Sequence, residues 1–420
     1  MIHQRHAVLR SADEDVEVTA IGEVEERHTV SLSVEGHRVN WRPHAPPPIG
    51  RRVSKVPRMA TVLHIVGEIL IGPQESRPEC WVIDGRVTYA APSGSSGDVE
   101  TVRGWALPGL VDAHCHVGLD HHGPVDDATT EQQALTDREA GTLLIRDAGA
   151  PSDTRWVDDR EDLPRIIRAG RHIARTRRYI RNFAHEIEPD ELVAHVRMEA
   201  RRGDGWVKLV GDWIDRDTGD LSPCWPREAV AAAVAAAHEE GVRVTAHCFG
   251  EESLHDFAAA GTDCIEHATG LDEESTRAFA EQGIAIVPTL INIDNFPQIA
   301  APAAEKFPTY AAHMLDLHAR RYETIARAHE AGVPIYVGTD AGGALPHGLV
   351  ASEALELARC GMTNVEVLSA ASWGARAWLG RPGIDEGDPA DLVIYEADPR
   401  ADLAVLGSPR TIVLRGKRAG

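Results

Sequence analysis

Short apolar runs alternate with longer helical stretches through the middle of the chain. Eight of these runs have the length and residue types of strands, at positions 105–111, 142–146, 172–174, 206–210, 242–246, 263–266, 284–287 and 333–337. Between them, a stretch such as 226–240 predicts a helix, with Pro226 near its start and Gly241 just past its end. Repeated strand–helix units predict an α/β fold with a parallel sheet, and eight strands are the number of a (β/α)8 TIM-like barrel, here over residues 107–380.

Strand-like runs also flank this barrel segment on both sides. The runs at 61–66 and 80–84 match those at 390–395 and 410–415 in character. We therefore expect a small β domain composed of residues 59–106 and 381–420.

Residues 1–58 have a different pattern from the rest of the chain. Apolar and polar residues alternate at 16–20 and 29–34, a turn is expected at Glu35–Gly36, and residues 44–50 are rich in proline. This pattern predicts a β-hairpin followed by a stiff linker. The alternative is that the segment is an upstream extension and that Met59 is the functional beginning.

The composition limits the classes of molecule that the chain is expected to bind. A formal charge of −22 opposes binding to nucleic acid and to anionic membranes, and no run approaches the roughly 20 apolar residues of a membrane span. Six scattered cysteines indicate a reducing compartment, and hence the cytoplasm. We expect a small-molecule or dipeptide-like substrate, and a homo-oligomer is left open.

Candidate metal ligands follow the predicted barrel strands, where active-site groups of such barrels lie. His114 and His116 come after the first strand, two residues apart in an extended segment, so both side chains point the same way. His247, His267 and Asp340 end the fifth, sixth and eighth strands. Such groups at four equivalent strand ends predict a metal site rather than separate buried structural residues.

One of the four lysines in the chain, Lys208, lies inside the apolar run 206–210. An unpaired ammonium there would cost several kcal/mol, so it must be ion-paired, neutral or modified. A neutral amine can take up CO2, and the resulting carbamate could bridge two metal ions, which an arginine could not do. A structural lysine, ion-paired beside one metal, is the alternative.

Together these motifs resemble the amidohydrolase superfamily, within its imidazolonepropionase-like and metal-dependent dipeptidase branch. The resemblance spans residues 60–418 and rests on LPGLVDAHCH at 107–116, Lys208, His247, IEH at 265–267, GTD at 338–340 and GDPADLVI at 387–394. It implies the barrel, with the strands from the two chain ends forming a small β-sandwich. Residues 1–58 fall outside the family pattern.

The resemblance also implies two divalent metal ions, with zinc expected and Mn, Fe or Co as alternatives. In that arrangement the ligands are His114, His116 and Asp340 for one ion, His247 and His267 for the other, and carboxylated Lys208 as the bridge between them. A metal-bridging hydroxide would attack the carbonyl of an amide, and Asp340 would take its proton and deliver it to the leaving group. The preference for a dipeptide or an N-acyl amino acid rests on the resemblance alone.

Substrate selectivity is expected from loops at the same face of the barrel. Arg178 could pair with a substrate carboxylate, and Tyr179 or His347 could donate a hydrogen bond to the developing oxyanion. Arg146 and Asp147, after the second strand, are further candidates.

Other functions stay open beside the amide hydrolase. A mononuclear deaminase or a cyclic amide hydrolase would use His114, His116, His247 and Asp340 around one ion and would have no use for Lys208. A deaminase would also need a glutamate soon after His247, such as Glu251 or Glu252. A lactone or ester hydrolase also fits the predicted site, whereas a non-enzymatic scaffold is disfavoured because every ligand position is filled.

Overall fold

A computed structural model of the chain describes residues 32–34, 37–39, 62–93 and 99–419. The chain forms two compact units, Met1–Arg58 and Met59–Gly420. In the first unit, strands β1 (Leu32–Val34) and β2 (His37–Val39) pair antiparallel, with Val34 opposite His37. The alternation expected at 16–20 and the proline-rich linker at 44–50 lie outside the described residues.

The second unit has mixed α/β content. Its strands are β3 (Val62–Leu70), β4 (Ser76–Ile83), β5 (Arg86–Thr88), β6 (Val99–Pro108), β7 (Leu110–Cys115), β8 (Leu119–Asp120), β9 (Gly123–Pro124), β10 (Thr142–Asp147), β11 (Arg165–Arg168), β12 (Ile173–Arg175), β13 (His185–Ile187), β14 (Trp206–Val210), β15 (Asp212–Asp215), β16 (Asp220–Pro223), β17 (Arg243–Cys248), β18 (Cys264–His267), β19 (Ala285–Val287), β20 (Leu392–Tyr395), β21 (Thr411–Leu414) and β22 (Lys417–Ala419). Its helices are α1 (Asp127–Glu139), α2 (Leu192–Arg202), α3 (Arg227–Glu239), α4 (Glu251–Ala260), α5 (Glu273–Gln282), α6 (Leu290–Ile293), α7 (Phe296–Ala303), α8 (Pro308–Glu330), α9 (Val350–Arg359), α10 (Asn364–Ala371) and α11 (Trp373–Trp378). Short 3-10 helices span Arg155–Asp159, Pro189–Glu191 and Leu403–Gly407.

Parallel strands form the centre of this unit. They form a three-stranded sheet in the order β11–β10–β7 and a six-stranded sheet in the order β13–β12–β14–β17–β18–β19. Every residue of β7, β10, β14 and β18 is buried, as expected for parallel strands covered on both faces. The α/β class is thus observed, with the parallel strands divided between two sheets.

The eighth predicted strand, at 333–337, is reduced to a single bridge between Ile335 and Ile286. Its backbone is nevertheless hydrogen-bonded on both sides. The amide of Ile286 donates to the carbonyl of Pro334, and the amide of Ala113 donates to the carbonyl of Val337, each at 2.8 Å. Because Pro334 has no N–H group, the segment cannot complete a regular ladder.

Strands from both ends of the unit share one seven-stranded sheet, in the order β22–β21–β20–β6–β3–β4–β5. Its central strand β6 pairs parallel with β3 and antiparallel with β20. The sheet joins residues 62–108 to residues 392–419, as the matching apolar runs predicted. Among the described residues this single sheet is observed, and a second sheet packed on it, as the β-sandwich implied by the resemblance requires, is not shown.

The predicted strand at 105–111 is divided between β6 and β7 by Gly109. A Cβ atom at Gly109 would lie only 2.5 Å from the side chain of Leu143, so the backbone approaches β10 as closely as only glycine allows. The seven-stranded sheet therefore runs directly into the strand that ends at His114 and Cys115.

Helix α8 is amphipathic and packs through one face. Its buried residues include Met314, Leu317 and Ile325, spaced as on one side of a helix. Within the residues that the structure describes, no helix is both long and apolar enough to cross a membrane.

Candidate metal centre

Three predicted ligands converge at the end of β7. The Nε2 atoms of His114 and His116 lie 3.3 Å apart, and Asp340 Oδ1 is 3.1 and 3.0 Å from them. The other ring nitrogens face acceptors, since His116 Nδ1 is 2.7 Å from the carbonyl of Gly149 and His114 Nδ1 is 2.7 Å from Glu266 Oε2. A proton on each Nδ1 leaves three acceptor atoms, the two Nε2 atoms and Asp340 Oδ1, facing one another. A cation would satisfy that arrangement, so these residues fit a divalent metal.

The other two predicted ligands, His247 and His267, lie beside these three. His247 Nδ1 is 2.9 Å from His267 Nε2, and His267 Nδ1 is 2.7 Å from the hydroxyl of Thr289. The buried Nε2 of His247 has no hydrogen-bond partner in the described part of the chain. Ligand atoms of His114, His267 and Asp340 all lie within 4.8 Å of one another. The five predicted histidine and aspartate ligands thus form one cluster.

Left-handed backbone positions this cluster. His267, Thr289 and Asp340 have φ values of 68°, 49° and 58°, a conformation that costs a non-glycine residue on the order of 1–3 kcal/mol. All three follow or end a strand segment, where the chain turns sharply. Strain gathered at one place in this way is typical of a functional site.

Lys208 lies in the middle of β14 and is 1% exposed. It forms no ion pair or hydrogen bond with any described residue. Burial lowers the pKa of its ammonium group, and the carboxylates of Glu266 and Asp340 oppose that shift only in part. Burial thus shifts the amine towards its neutral form, which is the form that the carbamate hypothesis requires.

Glu266 connects the cluster to the core. It accepts a hydrogen bond of 2.7 Å from Arg146 and another from Thr245, and its second oxygen faces His114 Nδ1. Burial alone would raise the pKa of this carboxyl, but Arg146 and His114 hold it well below its usual range. Glu266 therefore fixes the tautomer and ring orientation of His114. Sequence reasoning quoted Glu266 in a motif but assigned it no role.

Asp340 is also tied to a residue that sequence reasoning missed. Its Oδ2 accepts a hydrogen bond of 2.6 Å from the side-chain amide of Asn292 in α6. Although burial raises the pKa of Asp340, the neighbouring histidines, His114 first, hold it well below the usual range. Asp340 is therefore ionised at neutral pH.

His172 is a second residue that sequence reasoning did not identify. It is fully buried, and neither ring nitrogen has a partner among the described residues. Its ring centroid lies 5.0 Å from that of His116 and 5.3 Å from that of Tyr179. Because it precedes β12, a search of the residues that follow strands passes over it.

The predicted substrate contacts Tyr179 and Arg178 have different surroundings. The Tyr179 ring lies beside the cluster, 5.6 Å from the His247 ring. The Arg178 guanidinium instead bonds to Asp215 Oδ2 at 3.1 Å, to the carbonyl of Trp213 at 2.9 Å and to the carbonyl of Ser222 at 2.8 Å. These bonds occupy Arg178 within the protein.

The third predicted contact, His347, lies against helix α1. Its Nδ1 is 2.8 Å from Asp137 Oδ2, and the amide of Gly348 donates to the same carboxylate. Within the described part of the chain, no hydrogen bond or ion pair joins His347 to the histidine cluster.

The remaining two candidates are bound inside the protein. Arg146 is fully buried, and its guanidinium lies 4.7 Å from the ring centroid of Trp206. Asp147 accepts hydrogen bonds from the amides of Val117 and Gly149. Both therefore support the backbone around the site.

Known proteins resemble this chain over most of its length. The model of the amidohydrolase family matches residues 105–418. An uncharacterized protein of Mycobacterium tuberculosis (strain ATCC 25618 / H37Rv) is 53% identical over 373 residues, which are 88% of this chain and all of that protein.

Solved structures resemble this fold at low sequence identity. A Xaa-Pro dipeptidase with methionine bound in its active site has a TM-score of 0.71 and 23% identity, covering 86% of this chain and 99% of its own. The ochratoxinase of A. niger has a TM-score of 0.69 and 21% identity, covering 86% of this chain and 95% of its own.

Proposed function

The chain belongs to the amidohydrolase family, and from that premise we propose that it is a metal-dependent hydrolase of a dipeptide or an N-acyl amino acid. The observation that carries the proposal is the convergence of His114 Nε2, His116 Nε2 and Asp340 Oδ1 within 3.3 Å, with both Nδ1 protons directed elsewhere. Such a lone-pair cluster is stable in a buried site when a cation occupies it.

We propose two ions, held as the sequence predicted. His114, His116 and Asp340 would hold one, and His247 and His267 the other. Imidazole and carboxylate ligands suit zinc, with Mn, Fe or Co accepted by the same groups. Lys208, buried and unpaired among the described residues, would bridge the ions as a carbamate.

Asp340 is the proposed base. Its Oδ1 lies between the two histidines of β7, and its Oδ2 is fixed by Asn292. An ionised carboxylate at this point can accept a proton from an attacking water and return it to the leaving amine. Bound divalent metal would supply activation of that water and polarisation of the scissile carbonyl.

Two aromatic side chains are proposed to contact the substrate. His172 is held neutral, since burial drives its pKa well below the usual value, so one ring nitrogen carries a proton that no described residue accepts. Tyr179 lies beside it, with ring centroids 5.3 Å apart. Either group could donate a hydrogen bond to negative charge that develops on the substrate carbonyl oxygen.

Metal content tests the proposal most directly. Elemental analysis of protein purified without chelator should give two ions per chain. Intact mass under native conditions should exceed the mass after acid by roughly 44 Da, the mass of CO2, if the lysine is carboxylated. A screen of dipeptides and N-acyl amino acids should then reveal metal-dependent turnover, whereas metal-replete protein inert on all of them would refute the substrate class.

A mononuclear deaminase or cyclic amide hydrolase is the second candidate. Glu251, one glutamate it could use, is bound at 3.0 Å to His313 and also to Arg320. These contacts commit Glu251 to helix α8, which favours the amide hydrolase. One ion per chain and no acid-labile mass would instead favour the mononuclear enzyme.

We further propose that the parallel strands close into a (β/α)8 barrel. In this interpretation β11 and β12 are the two halves of its third strand, interrupted at 169–172. The segment 333–337 is the eighth strand, because its hydrogen bonds reach both β19 and β7. Closure would place the five proposed histidine and aspartate ligands, together with Lys208, around the opening at one end of the barrel.

A further inference from the structure

A basic cavity lies next to Tyr179. It has a volume of about 480 Å³ and lies between the turn at 177–182 and the hairpin of β15 and β16. Its lining includes Arg171, Arg177, Arg181 and Arg216, with Glu186 as the one acidic residue among the lining groups. Four guanidinium groups around one cavity stand out in a chain with a formal charge of −22.

Three of these arginines carry uncompensated charge. Arg177, Arg181 and Arg216 are exposed and form no ion pair with any described residue. Many other arginines of the same structure do pair, such as Arg168 with Asp158 and Asp204. Gathering like charges raises the local potential, and an anion drawn into the cavity would lower it.

The backbone fixes where these arginines stand. Arg177 and Asn182, near the two ends of the turn, have left-handed φ values of 62° and 68°. Arg178 ties the turn to the β15–β16 hairpin through Asp215 and Ser222, and Arg216 follows Asp215 directly. The backbone segments that carry these arginines are therefore held on two sides of the cavity before any ligand enters.

Tyr179 joins the cavity to the metal centre. It lines the cavity, and its ring lies 5.3 Å from that of His172 and 5.6 Å from that of His247. A molecule that reached past Tyr179 could place one end among the arginines and the other beside the proposed ligands.

We propose that this cavity binds an oxyanion, a carboxylate or a phosphate, carried by the substrate at a distance from the bond that is cleaved. The inference rests on the proposed amide hydrolysis, because it assigns the substrate an acidic group in addition to the terminal carboxylate of a dipeptide or an N-acyl amino acid. Arginine suits this role, since its planar fork binds the paired oxygens of either group. Arg178 then serves as a positioning residue that holds the two walls of the cavity together.

Calorimetric titration of the metal-replete full chain tests the site without requiring turnover. The probes are glutarate, which supplies carboxylates, and inorganic phosphate. The test variant combines Arg177→Gln, Arg181→Gln and Arg216→Gln. The control combines Arg103→Gln, Arg277→Gln and Arg381→Gln, which removes the same three charges from exposed positions without an ion pair among the described residues.

Wild-type protein should bind one of the probes, and the cavity variant should bind it at least about tenfold more weakly, because each charge-assisted contact contributes more than one decade of affinity. The control should stay within about twofold. The tighter probe identifies the oxyanion. Absence of binding to the wild type, or equal weakening in both variants, would overturn the proposal.

A kinetic comparison separates this inference from the proposed function. Turnover of Gly-Glu against Gly-Gln, and of Glu-Gly against Gln-Gly, should favour the acidic peptide of at least one pair, and the cavity variant should lose that preference. If every peptide is inert while probe binding still depends on the three arginines, the anion site stands and the amide hydrolase fails. If peptides are cleaved without any preference for the acid, the acidic substrate class is wrong.

Discussion

Replacing Glu266 with glutamine would remove a buried carboxylate while keeping its shape. Glu266 and Arg146 have fully buried side chains and are joined at 2.7 Å. Glutamine would leave the guanidinium of Arg146 without a counter-charge, and breaking a buried pair from one side costs about 3–5 kcal/mol. It would also present His114 Nδ1 with an amide, and loss of such an orienting carboxylate typically weakens metal binding about 10- to 100-fold.

Two measurements separate these effects. Denaturant unfolding in the presence of a chelator gives the stability change of the metal-free chain, so that lost metal binding does not add to it. Competition with a chromophoric chelator gives the metal affinity. Glu139→Gln is the matched control, because its side chain is 67% exposed and the change should stay within about 0.5 kcal/mol.

A double-mutant cycle tests the cause. Arg146→Met alone should also destabilise the chain, because it leaves the buried carboxylate of Glu266 without its counter-charge. The double variant, Arg146→Met with Glu266→Gln, should lose clearly less stability than the sum of the two single changes. The reasoning is refuted if Glu266→Gln loses less than about 1 kcal/mol and binds metal as tightly as the wild type, or if the two changes are simply additive.

Three further predictions concern the base, the bridge and a pH-sensitive contact. Asp340→Asn should abolish turnover while the circular dichroism spectrum stays native, and near-normal turnover would remove Asp340 from its role as base. Lys208→Arg should bind one fewer ion per chain by elemental analysis, and two retained ions would exclude the bridge. Hydrogen bonds to Glu251 and then Asp220 raise the pKa of His313 from 6.5 to about 9, so its stabilisation is complete below about pH 6.5 and is lost as pH rises through about 9. His313→Gln should therefore lower the free energy of unfolding at about pH 6 and have little effect at about pH 10, and equal losses at both would contradict the assigned pair.

Hydrophobic pattern predicted the parallel strands well because each is a short, wholly buried run. The run at 206–210 has the bounds of β14, and that at 142–146 differs from β10 by one residue. The segment at 333–337 has the same apolar character, yet Pro334 prevents a regular ladder. The candidate ligands could be proposed from the sequence because parallel strands place the residues after their carboxyl ends at one edge of the sheet. In the structure the four candidate histidines and Asp340 lie in one cluster.

Contacts between distant loops could not be read from the chain in this way. Arg178 follows a predicted strand, as a substrate-binding residue of such a fold would, but its partners lie 35 to 44 positions later. Asn292 reaches Asp340 from helix α6, which begins directly after Thr289 in a left-handed conformation. The pattern of apolar and polar residues does not predict such a turn. The roles of Arg178 and Asn292 therefore become visible only in the folded structure.

The pairing of β6 with β20 has a consequence for biosynthesis. Strand β6 runs through Gly109 into the strand that ends at the first two histidines, and the amide of Gly109 donates to the carbonyl of Asp391. Ser372 and Arg376 also bond to the carbonyls of Pro108 and Gly109. A growing chain that has not yet released residues 372–395 from the ribosome lacks these supports. Nascent chains should therefore acquire a competent metal centre only near the end of translation, and truncation at the far terminus should impair a site that lies nearly 300 residues upstream.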